Sequence, residues 1–377
     1  MEHAFTATIK AVLRKNFAAQ GDEVFQRSLL LQYLNLKTRA ANRGSKSRSS
    51  FANLYALYVL AEDYVKGGFD KAGDYSKYEG AIFSHLFQRQ RELPFGSKLQ
   101  NHALNHRLNE EFKKFFPTSE FTPIVRDVQT NRYWINRSLL RLKIGRKAYD
   151  LSASIVEIIN EYIQAKSAAF AAFIETCLKL KELTASTPEE AEAFILDLIA
   201  PNRDARLFEI VSFAILKFFY HDQSVYFGFD LDNLTKEHLK LFKTGRTNAN
   251  DGGIDFVMKP LGRFFQVTET LDVKKYFLDI DKIERFPISF VIKSSEPIDL
   301  LRRKLKGGAQ KQFGVQRVVD TYMACIEEII NIPALQERFR QAKSQGYLPQ
   351  ILGEIVKQSK VEFNTSEETE AEDDDGE

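Results

Sequence analysis

The sequence predicts an α+β protein: a helical N-terminal region, then a C-terminal core with a small mixed β-sheet flanked by helices. Two observations carry this. Apolar residues recur with helical spacing over the first half of the chain, and from Pro201 the pattern turns to helix, strand, strand, helix, strand. The 377 residues suffice for about two or three domains with real cores.

Taken in order, Phe5, Ile9, Val12 and Leu13 form an amphipathic stripe that predicts a first helix. A second is expected over Phe25–Leu36 and a third over Phe51–Tyr64, with Ser50 as its N-cap. Gly67-Gly68 closes this unit, so residues 1–68 are expected to form a helical, basic region. Residues 69–190 read as a mixed, mainly helical middle region. It holds a helix over Leu99–Phe116, short strands over Thr122–Val128 and Arg132–Ile135, and a long helix over 151–183. Ser186-Thr187-Pro188-Glu189-Glu190 starts another helix.

Residues 191–360 are expected to form the core domain. Asp204–Tyr220 reads as an amphipathic helix and Val225–Phe229 as a short strand. Ile254–Met258 and Arg263–Thr268 read as strands joined by the turn Lys259-Pro260-Leu261-Gly262. A helix over Asp272–Arg285 and a strand over Ile288–Lys293 follow, and the rest is expected to be helical to about Lys360.

Charge is unevenly spread. The formal net charge is +2, but the segment from Ser366 holds eight acidic residues and no basic one, and without it 53 basic residues face 43 acidic ones. A basic body fits a polyanion partner, and residues 361–377 are expected to be a disordered acidic tail. Basic residues cluster in three places. The first holds Lys37, Arg39, Arg43, Lys46 and Arg48; the second Arg137, Arg141, Lys143, Arg146 and Lys147; the third Arg302, Arg303 and Lys304. All are candidate phosphate contacts.

Other chemistries find little support. No apolar run is long enough to cross a membrane and no secretion signal is evident, so a cytoplasmic protein is expected. Two cysteines, Cys177 and Cys325, are too few for a disulfide framework. His102 and His106 have a spacing that allows zinc, but they lack a third ligand and read as core or hydrogen-bonding residues. No phosphate-binding G-x-x-x-x-G-K-[ST] loop is present, so no nucleotide cofactor is expected.

One constellation does point to chemistry. With a four-residue turn, Met258 faces Arg263 and Asp255 faces Gln266, with Thr268 on the same side and Glu269 on the other. Glu209 lies on an otherwise apolar helix. Asp255, Glu209 and the Gln266 oxygen are hard ligands suited to Mg²⁺.

These residues resemble the PD-(D/E)XK nuclease superfamily, in particular type II and methyl-directed restriction endonucleases. Gly252-Gly253-Ile254-Asp255 matches the glycine-preceded Asp and Gln266 the Gln variant of the second acid, while Glu209 sits where many members keep a helix acid. The resemblance spans roughly residues 200–295. It implies a restriction-endonuclease-like core, double-stranded DNA as substrate, Mg²⁺ as cofactor and a homodimer that cuts both strands. Thr268 departs from the family pattern, occupying the position of its catalytic lysine; Lys274 or Lys275 on the next helix, and after them Lys243, are candidates to supply the amine. A catalytically inactive, sequence-specific DNA-binding protein is the alternative.

Overall fold

A computed structural model describes residues 2–39, 47–72, 75–97, 99–203, 205–244, 254–269, 271 and 273–363. Gly252, Gly253, Arg43, Lys46 and the acidic tail beyond residue 363 lie outside the described residues. The protein is mixed α+β and divides into two units, Met1–Phe173 with Lys360–Glu377, and Ile174–Ser359.

The first unit is mainly helical. The predicted stripe forms the buried face of helix Thr6–Phe17, where Ile9 and Leu13 are fully enclosed. The helix expected over Phe25–Leu36 is interrupted at Ser28. This residue is extended, and its hydroxyl accepts from the Leu31 amide to start Leu29–Thr38, so one apolar pattern carries two helices. The third helix starts earlier than Ser50 and runs over Ser47–Lys66. The segment expected as one helix from Leu99 to Phe116 holds a π-helical turn, Ala103–Arg107, and the α-helix Leu108–Phe115. Ile124–Asp127 and Arg132–Ile135 pair antiparallel as expected. The basic stretch after Arg137 contains a hairpin, Arg141–Ile144 with Lys147–Asp150, turned at Gly145 where φ is +60°.

The second unit is organised by a five-stranded sheet. We label its strands β1 (Lys240–Lys243), β2 (Phe256–Lys259), β3 (Arg263–Thr268), β4 (Ile288–Ile292) and β5 (Ile326–Ile330). Its flanking helices are α1 (Ala205–Phe219), α2 (Val273–Lys282), α3 (Ile298–Phe313), α4 (Gln316–Ala324) and α5 (Ile332–Ser344). The strand order is β5-β4-β3-β2-β1. β3, β4 and β5 run parallel, while β2 is antiparallel to both β1 and β3. The β2–β3 hairpin has the expected register, Met258 opposite Arg263 and Phe256 opposite Phe265.

Alternation along the strands sorts side chains between two layers. Phe256 packs on Phe213 of α1 at 5.2 Å, and Phe265 lies 6.3 Å from Tyr220 just beyond that helix. On the opposite face Ile288, Phe290 and Ile292 join Tyr276, Phe277, Leu301, Leu305 and Val319 in a core under α2, α3 and α4. Each such fully enclosed side chain stabilises the fold by roughly 1.5–3 kcal/mol. β5 was expected as helix because Ile326, Ile329 and Ile330 have the spacing i, i+3, i+4. As a strand it carries a register shift after Ile326, opposite Ile288 and Ser289. The shift turns Ile326 and Ile329 to the α2–α4 side and sends Glu328 and Ile330 to the other.

Candidate active site at the carboxyl ends of the central strands

Helix α1 is built to be enclosed, and Phe208, Ile210, Val211 and Phe213 are all buried. Glu209, one turn into it, is only 8% exposed and would be costly there without cations. It has two. The guanidinium of Arg206, one turn earlier, pairs with one carboxylate oxygen, and Lys243 Nζ, at the end of β1, lies 3.2 Å from the other.

Asp255 enters from the start of β2. Regular pairing would place it opposite Gln266, but its amide donates to the carbonyl of Phe265 at 3.0 Å, one residue short of that position. The Val267 amide, which in a regular ladder would find the Ile254 carbonyl, donates instead to the Asp255 carboxylate at 2.7 Å. The freed Ile254 carbonyl accepts from the Thr244 hydroxyl, and the Asp255 carbonyl accepts from the Thr244 amide at 3.0 Å. This local departure from the ladder turns the Asp255 carboxylate toward Glu209, Arg206 and Lys243. Although the residue is half-buried as a whole, its carboxyl is hemmed in by protein. Burial first, and the neighbouring Glu209 charge second, push its pKa up to about 7, against the Val267 bond and the two cations.

The expected convergence of Asp255, Gln266 and Thr268 on one face is therefore corrected. Phe265 faces α1, so Gln266 and Thr268 project to the other side, where the Thr268 hydroxyl meets Tyr276 of α2. Gln266 is buried; its Nε2 donates to the Val267 carbonyl at 3.3 Å, and its Oε1 has no hydrogen-bond partner among the described residues. Lys274 and Lys275 are exposed on α2. The cations that act on Asp255 are Arg206 and Lys243. Lys243 reaches the cluster because it pairs with Phe256 across β1 and β2, a contact that no short motif encodes.

A second ion pair lies at the same strand ends. Lys293, directly after β4, is 3.0 Å from Glu269, directly after β3, and also donates to the Arg203 carbonyl ahead of α1. Both residues lay outside the expected site; the one signal for Lys293 is that it closes an all-apolar run, Ile288–Ile292. Carboxyl ends of parallel strands are where open α/β sheets bind ligands.

Among the described residues no three His, Cys, Asp or Glu side chains form a metal-binding group. The donor set is two carboxylates, Asp255 and Glu209. Mg²⁺ commonly uses one or two carboxylates and completes its shell with water and phosphate, so these residues fit that ion.

The basic candidates divide. Lys37 is turned inward, its ammonium 3.0 Å from both oxygens of Glu111, which also accepts from the Tyr33 hydroxyl at 2.9 Å and from Asn53. It is a core cation and not a phosphate contact, because position 37 falls on the buried side of helix Leu29–Thr38. Arg39 is exposed, and the Arg48 side chain lies outside the described residues. Arg137, Lys143, Arg146 and Lys147 are exposed, whereas Arg141 lies against Asp150 at 3.8 Å. Arg302, Arg303 and Lys304 are exposed on α3, with Lys304 paired to Glu296. His102 and His106 are exposed, not core, with ring centroids 5.7 Å apart.

Among the described residues no helix is long and apolar enough to cross a membrane. No protein family, curated protein or solved structure matches the chain.

Proposed function

We propose that the protein is a magnesium-dependent endonuclease acting on double-stranded DNA, of the restriction type and working as a homodimer. The observation that carries this reading is the meeting of Asp255, Glu209 and Lys243 where strands and helix converge. An acid with a pKa near 7 beside a second acid and an amine is the arrangement expected of a site built for charge chemistry rather than stability.

Asp255 and Glu209 would hold the ion, and its positive charge would favour the ionised form of Asp255 that burial disfavours. When bound, Mg²⁺ polarises the scissile phosphate and lowers the pKa of the attacking water. Lys243 takes the role that the strand itself does not supply at Thr268. Its ammonium, held by Glu209, meets the negative charge that builds on the phosphate as water attacks phosphorus and the bond to the leaving oxygen breaks. The exposed cations Lys143, Arg146 and Lys147, and Arg302 and Arg303, supply backbone contacts.

Incubation with supercoiled plasmid, with Mg²⁺ or with EDTA, tests the reading. Discrete fragments that appear only with Mg²⁺ and vanish in Asp255→Ala support it; normal cutting by that variant would overturn the assignment. A second reading, DNA binding without cleavage, is favoured by the double pairing of Glu209 to Arg206 and Lys243, which already neutralises the cluster without a metal. It predicts mobility shifts and no cutting in the same assay.

A further inference from the structure

The β1–β2 margin of the sheet carries a second surface, on the face away from α1. Phe242, Val257 and Phe264 lie in one row across β1, β2 and β3, and the Phe264 ring lies 5.2 Å from Phe286. Phe242 is 46% exposed and Phe286 49%. Two residues along the same two strands, Lys240 and Lys259 stand directly opposite each other, both exposed, with no acidic partner among the described residues. Like charges in a cross-strand pair destabilise it unless an anion lies between them. Lys259 Nζ sits 5.5 Å from the Phe242 ring centroid, so cation and ring share one spot.

We propose that this face binds an unpaired stretch of nucleic acid, with bases stacked on Phe242 and Phe286 and a phosphate between Lys240 and Lys259. Flat exposed rings give single-stranded bases something to stack on, whereas in a duplex the bases are already stacked on each other. A second copy of the chain suits the face poorly, because a two-fold contact would bring the lysines of two copies together, and lysines on an edge strand oppose strand addition. The inference rests on the nucleic-acid reading of the Asp255 site for its ligand class, but it needs no cleavage.

The test uses the full chain carrying Asp255→Ala, in EDTA, with a fluorescent oligothymidylate and a matched duplex read by anisotropy at several salt concentrations. Phe242→Ser should weaken oligothymidylate binding about tenfold and duplex binding far less. Lys240→Gln with Lys259→Gln should flatten the salt dependence by about 0.7 log unit per log unit of salt, the value for one phosphate on a single strand. Melting temperatures within a few degrees of the parent confirm that both variants fold; if Phe242→Ser does not, the lysine pair decides alone. Absent binding, or binding that these variants leave unchanged, overturns the proposal. So does sedimentation showing a dimer that Phe242→Ser disperses, which would make the face an interface between copies. Plasmid cutting by protein with Asp255 intact is measured separately, so loss of either reading is visible without the other.

Discussion

The Val267 amide donates to the Asp255 carboxylate at 2.7 Å, so a side chain occupies the place of the next main-chain acceptor in the β2–β3 ladder. That substitution brings an acid to the α1 side of the sheet, among Glu209, Arg206 and Lys243, and the predictions below follow from it.

Asp255→Asn keeps an acceptor for the Val267 amide and removes the buried charge. Cutting should be lost, yet the metal-free protein should become more stable at neutral pH. The sign follows from the raised pKa. Below about pH 4 Asp255 is protonated folded or unfolded, and the two proteins should match. As pH rises toward 7 the unfolded chain ionises first, so the parent loses stability and the variant does not. Urea unfolding should show a gap that opens between about pH 4 and 7 and levels off at about 2–4 kcal/mol. Equal stabilities at pH 8 would show that the carboxyl is solvated.

The same ionisation sets the response to metal. Mg²⁺ needs the carboxylate, so its affinity, and the cutting rate at subsaturating Mg²⁺, should rise with pH up to about 7–8 and then flatten. Thermal shift titrations at pH 6 and pH 8 measure it: the stabilisation by a fixed Mg²⁺ concentration should be larger at pH 8 and absent in Asp255→Ala. A shift independent of pH would place the ion elsewhere.

Lys243→Met should lower the cutting rate by roughly 10²–10³ while leaving DNA affinity within about threefold. Lys274→Ala and Lys275→Ala should each leave cutting within about twofold. Single-turnover kinetics with saturating enzyme separate these outcomes, and a reversal of the two effects would return the catalytic amine to α2.

Lys37→Met tests the inward assignment of that cation. It leaves Glu111 without its ammonium inside the Tyr33–Asn53 network, so the variant should lose about 2–4 kcal/mol in urea unfolding. Its DNA affinity should be unchanged at temperatures where it stays folded. Lys143→Ala with Arg146→Ala and Lys147→Ala should do the opposite, weakening binding with a shallower salt slope and little change in stability.

Much of the second unit was legible in residue order. Pro260 and Gly262 announce the turn, and the β-branched and aromatic run Arg263–Thr268 announces β3; together they give the correct register. Three features were not legible. β1 is four residues long and half lysine, so neither apolar alternation nor turn signals mark it, and with it went the placement of Lys243. β5 mimics a helical stripe through its isoleucine spacing. The side to which Asp255 points was read from an unbroken alternation, and one hydrogen bond to a side chain breaks it. The acid on α1, Glu209, was readable because an apolar helix gives a carboxylate no reason to be there unless something pairs with it.

The register shift in β5 also sets which changes of chain length the sheet can absorb. Glu327 is the extra residue between Ile326, opposite Ile288, and Glu328, opposite Ser289, so its loss would leave both flanks in their present pairing and facing. Removing Ile329 instead would slide Ile330 into its place opposite Phe290, turning it and the residue after it to the face each now avoids. What Glu327 itself adds is an ion pair to Arg263 at 3.1 Å, with 39% of its side chain exposed. At this point the strand can lose a residue that it could not lose two places further on.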